Sequence, residues 1–81
     1  MSKKLIKLSY PIEFNGLPIS EVAVRRPTVG DNLAAHKATG SDAEKEIRLI
    51  ANLCELPPEA LHLLDMSDYS AIQKVLSGFL S

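Results

Sequence analysis

The side chains of this sequence that could do chemistry fall into five small groups. The single cysteine, Cys54, would be a nucleophile only beside an activating base. It lies instead in a run whose apolar residues recur at helical spacing, where a buried thiol is inert. His36 and His62 do not form the i, i+4 histidine pair of a helical metal site, and Met66, four residues after His62, is a weak ligand. Both read as surface histidines. Gly30 and Gly40 belong to no Gly-rich run followed by Lys and Ser or Thr, so they do not build a phosphate loop. Asp65 and Asp68 could be a carboxylate pair, but a spacing of three at a helix start is what capping produces. Arg25 and Arg26 could touch phosphates, yet no further basic or aromatic residues surround them in sequence, as a nucleic-acid footprint requires. No catalytic, cofactor-binding or metal-binding residue is assigned, and the protein is not expected to be an enzyme.

The elements that must position these groups are limited by length. A chain of 81 residues accommodates one packed unit, spanning 1–81. Its 46% hydrophobic and 23% charged residues are those of a globular domain rather than a disordered one. One cysteine excludes an internal disulfide, so association with a partner is the remaining device for stabilising so small a core. The net charge of −1 conceals a split. Residues 1–40 carry six Lys or Arg against three acids, and residues 41–81 carry three against seven. Such a split suits self-association or a partner of mixed charge rather than nucleic acid. The apolar run after Met1-Ser2-Lys3-Lys4 is broken by Lys7 and Ser9, unlike a signal peptide, and no apolar run approaches the roughly 18 residues of a membrane span. A cytoplasmic protein without membrane contact is expected.

From Ile6 to Phe14 every second residue is apolar, which predicts a strand with one wet face. Pro11 confines it to an edge or a local break. Asn15-Gly16 predicts a hairpin turn, and the hairpin is expected over about 4–26. With a two-residue loop Ile12 would face Ile19, but Tyr10 would face Glu21 and Leu8 would face Ala23. A longer loop through Leu17, or a bulge near Pro18 to Ser20, would put Val22 opposite Tyr10 and Val24 opposite Leu8, and is the expected register. Pro27 ends the strand. Thr28 and Asp31 form a capping box for a helix over 29–38, whose inner side is expected to hold Val29, Leu33 and the Ala34-Ala35 pair. Ser41 and Glu44 cap a helix over 42–55 with Ala43, Ile47, Ile50, Ala51 and Cys54 inward and Leu49 and Leu53 widening the stripe. Pro58 opens a short helix over 58–64, and Asp65 or Ser67 caps a last one over 67–80. Its stripe is Tyr69, Ile72, Val75, Leu76, Phe79 and Leu80. The fold class expected is α+β, an N-terminal β-hairpin followed by three to four short α-helices packed in two layers. In the junction from Arg25 to Asp31, Pro27, Thr28 and Asp31 have structural work, whereas the fold has no evident need of the arginine pair.

The run Tyr10-Pro11-Ile12, then Gly16, then Val22 to Asp31, together with Ala43 to Ile47, Leu56 to Leu61, Asp68-Tyr69 and Leu76 to Leu80, resembles the small tail assembly chaperones of Mu-like and P2-like contractile-tailed phages. The resemblance covers nearly the whole chain. It implies a protein without catalysis, metal or nucleotide that binds the helical tape measure protein and keeps it soluble until tail tube subunits assemble. It also implies the tail tube protein as a further partner, a prophage or phage source, and residence in the host cytoplasm rather than the mature virion. A homo-oligomer is expected from the exposed strand edge. Arg25, Arg26, Tyr69, Ile72 and Phe79 are the candidate partner-binding residues. For Tyr69, Ile72 and Phe79 the alternative role is filling the domain's own core. The competing functional classes are a small nucleic-acid-binding regulator and a minor structural subunit of the tail.

Overall fold

The computed structural model describes residues 3–80. Strands β1 (Lys3–Phe14) and β2 (Leu17–Arg25) form an antiparallel hairpin, followed by helices α1 (Val29–Lys37), α2 (Asp42–Cys54), α3 (Pro58–Leu61) and α4 (Met66–Leu80). Helix α2 packs over β2 and α4 over β1, so one face of the hairpin is covered by helices, while α1 rests on α2. The α+β class with a hairpin and four helices is the one the periodicities predict.

The hairpin closes through Asn15-Gly16 alone, with φ of 52° and 79°. Both values match the two central positions of a type I′ turn, whose twist suits the flanking strands. Phe14 therefore faces Leu17 and Ile12 faces Ile19. The expected pairing of Val22 with Tyr10 and of Val24 with Leu8 is not formed; Val22 faces Ile6 and Val24 faces Lys4. The irregularity lies in β1, where Leu8, Ser9, Tyr10 and Pro11 together oppose only Ser20. Pro11 has no amide hydrogen to give a ladder, so the break falls where pairing was weakest. The bulge reorients the strand. Leu8 is buried in the core while Tyr10, two residues on, is 61% exposed.

Leu8, Val22 and Val24 from the hairpin meet Ile50, Ala51, Leu53 and Cys54 from α2, Leu61 at the end of α3, and Ile72 from α4. Each fully buried Leu, Ile or Val contributes roughly 1.5–3 kcal/mol of transfer free energy. Both predicted capping boxes are present, at Thr28/Asp31 and Ser41/Glu44. Asp65 starts α4, its carboxylate accepting from the Ser67 amide at 3.0 Å and its carbonyl from the Tyr69 amide. Helix α2 ends in a left-handed residue, Glu55 at φ 57°, with the Leu56 amide donating back to the Ala51 carbonyl. That is the hydrogen bond of a Schellman terminus, in a position glycine usually fills. Helix α3 is shorter than expected, because after Leu61 the chain tightens into turns with Leu63 and Leu64 amides bonded three residues back.

Expectations about inward faces fail on three helices. Val29 and Leu33 of α1 are 85% and 54% exposed, and of the α1 residues expected inside only Ala35 is buried. This helix leaves the hairpin at an angle set by its cap and touches α2 through alanine, so its larger apolar residues point away. Ala43, in the first turn of α2, is likewise exposed, and so is Leu80 at the end of α4, at 72%.

Candidate partner-binding site

The junction is held together by Asp31. Its Oδ2 accepts from the Thr28 amide at 2.8 Å, the Thr28 hydroxyl at 3.0 Å and Arg25 Nη1 at 2.7 Å, while Oδ1 accepts from Arg25 Nη2 at 2.8 Å. Two parallel guanidinium–carboxylate bonds make a fork with fixed geometry. The Arg25 hydrogen bonds, with those from Thr28, hold the Asp31 carboxyl well below the usual carboxylate range, and the same contact raises Arg25. Arg26 reaches the far end of the chain. Its Nη2 donates to the Phe79 carbonyl at 3.1 Å, and its guanidinium lies 5.2 Å from the centroid of the Phe79 ring. A cation at a helix C-terminus complements the carbonyl dipoles there. The arginine pair is therefore not surplus to the fold: Arg25 ties β2 to α1 and Arg26 ties the junction to the end of α4.

The α4 candidates separate by burial. Ile72 is wholly buried in the core, which removes it from any surface of this conformation. Tyr69 is half-buried, and its hydroxyl donates to Glu46 Oε1 at 2.7 Å, the same oxygen that accepts from Gln73 Nε2 at 2.8 Å. Burial first, and then the Glu46 carboxylate, push the Tyr69 phenol well above its ordinary range. Phe79 is half-buried beneath Arg26. Asp68, expected to serve as a cap, does something else. It is 3% exposed, and its two carboxylate oxygens accept from the Ser9 and Tyr10 amides at 2.9 and 3.0 Å. These are the consecutive amides of the β1 bulge, of which a regular two-stranded ladder would have satisfied only one.

Where α1 and α4 diverge above α2 there is a groove of about 400 Å³, lined by Pro27, Thr28, Val29, Asn32, Leu49, Leu76 and Leu80. Leu49 and Leu76 are half-buried, whereas Val29 and Leu80 are 85% and 72% exposed. An adjoining recess of about 290 Å³ shares Asn32, Leu49 and Leu76 and adds the polar His36, Asp42, Lys45 and Glu46. Sequence reading placed Val29, Leu76 and Leu80 on inner faces and so missed the groove. The available signal was that α1 carries too few large apolar residues for a continuous stripe. Cys54 is buried, and burial pushes its thiol up to about 11. Among the described residues no group of three or more His, Cys, Asp or Glu is placed to hold a metal ion, and no helix is long and apolar enough to cross a membrane.

The fold and this surface define a small α+β protein with an open apolar groove on its helical side. A family model described as phage tail assembly chaperone proteins, E, or 41 or 14, matches residues 5–81, and the chain belongs to that family. Its role is thereby one in phage tail assembly. Neither the curated proteins nor the solved structures contain a match.

Proposed function

We propose that this chaperone binds the tape measure protein in the host bacterial cytoplasm and keeps it soluble until tail tube subunits assemble, without catalysing a reaction and without remaining in the mature virion. The groove of Val29, Leu49, Leu76 and Leu80 carries this reading. A long helical client exposes apolar stripes before the tube encloses it, and an open apolar trench flanked by polar side chains suits the apolar face of an amphipathic helix. Large exposed apolar side chains at the rim are what a binding surface offers and what a self-contained core does not need.

Co-expression with the tape measure protein tests the proposal. The client is expected in the soluble fraction and in a co-purifying complex with the parent chain. With Leu80→Asp or Val29→Asp, both exposed positions, the chain should remain folded and the client should precipitate. If the client is equally insoluble with and without the chain, and no complex co-purifies, the reading fails. A tail subunit would be found in purified particles, and a nucleic-acid regulator would bind DNA with a steep salt dependence.

A further inference from the structure

The hairpin is a two-stranded sheet, so each strand has one unpaired edge. The two edges differ. On β1, self-pairing about Leu5 would set Lys3 opposite a second Lys7 in both rows, and the rest of the strand is interrupted by Pro11 and by the bulge amides held on Asp68. Like charges directly opposite destabilise a ladder, and lysine and proline are common guards of strand edges. On β2, no backbone–backbone hydrogen bond among the described residues joins the strand to anything but β1, and α1 packs on α2 rather than along β2.

We infer that the open edge of β2 is a two-fold self-association surface, on which a second copy of this chain lays its own β2 antiparallel with Ala23 on the axis. In that register Ala23 faces Ala23, Val22 faces Val24 in both rows, and Glu21 faces Arg25 in both rows. Inward residues then meet inward residues, and each charge meets its opposite. In the single hairpin Lys3 and Arg25 are directly opposed, each already facing a carboxylate of its own chain, Glu55 for Lys3 and Asp31 for Arg25. The second copy's Glu21 arrives beside that like-charged pair. Arg25 uses three of its N–H bonds on Asp31 and the Arg26 carbonyl, and a guanidinium has five. The product is a closed two-fold dimer with a four-stranded sheet and helices on one face, which supplies the third strand that a lone hairpin lacks. It goes beyond the client reading, since the groove and this edge share no residue.

Cysteine cross-linking on the full chain, in which the native Cys54 is buried, with sedimentation or light scattering of the parent, tests it. Ala23→Cys places two thiols at a separation within the range of about 4.4–6.8 Å between Cα atoms that a disulfide spans. Mild oxidation is expected to trap a covalent dimer through Ala23→Cys but not through Ser20→Cys or Leu5→Cys. Glu21→Arg, checked for folding by circular dichroism, should weaken dimerisation roughly tenfold or more by replacing two attractive pairs with repulsive ones. A parent that stays monomeric at high micromolar concentration overturns the inference. So does a dimer that cross-links through Leu5→Cys and not Ala23→Cys, or one that grows into an open series of oligomers.

Discussion

Replacing Asp68 by alanine removes the acceptor of two bulge amides that have no other described partner, Ser9 and Tyr10. A hydrogen bond to a charged group contributes about 1.5–3 kcal/mol net, and a donor left without a partner costs about 1–3 kcal/mol. Ser9 and Tyr10 are themselves exposed residues, so water can reach part of the vacated site, and a combined loss of about 2–4 kcal/mol is the reasoned figure. A domain of this length has roughly 4–12 kcal/mol in total. At roughly 4–8 °C per kcal/mol, the melting temperature should fall by about 8–32 °C. Thermal and urea unfolding of Asp68→Ala against the parent measure this, and amide hydrogen exchange locates it. Protection should be lost at Ser9 and Tyr10 first, while the ladder from Lys3 to Lys7 keeps more of its own. Asp68→Asn should recover only part of the loss, since one end of its side chain would present donors to a donor. A melting temperature within about 3 °C of the parent, on the same scale, would refute the claim that this carboxylate sets the bulge.

The Asp31 carboxyl is depressed in the folded chain relative to its ordinary value of 3.8. Its contribution is therefore fully present above the unfolded value and is lost as pH falls through the folded one. The stability gap between the parent and Asp31→Asn should be wide at neutral pH and should narrow below about pH 5, as unfolding midpoints across pH will show. Glu55 sits in left-handed backbone at φ 57°, where glycine has no Cβ penalty. Glu55→Gly should stabilise by about 0.5–1 kcal/mol in urea titration, since the exposed Lys3 contact it removes has little net effect. Cys54, buried and with its thiol pushed up to about 11, should not react with an aromatic disulfide reagent near neutral pH and should react at once after unfolding.

What the sequence by itself determined are features that close over a few residues. The Asn15-Gly16 turn, the two capping boxes, the Asp65 start of α4 and the helical stripes of α2 and α4 depend on interactions one to four positions apart, and each is where the residue types require. Tertiary structure decided what distant residues share. The hairpin register turned on a bulge whose amides are satisfied by Asp68, 59 and 58 positions away from them, and no local pattern in β1 encodes that partner. Helix α1 could be recognised from its cap, but its facing could not, because it was fixed by the Arg25–Asp31 fork and by contact with α2. The arginine pair looked unoccupied for the same reason, since Arg26 finds its partner at Phe79, 53 positions on. The candidate groove belongs wholly to this second kind. Val29, Leu49, Leu76 and Leu80 each read as core residues of their own helices, and only the divergence of α1 from α4 left them facing an open space.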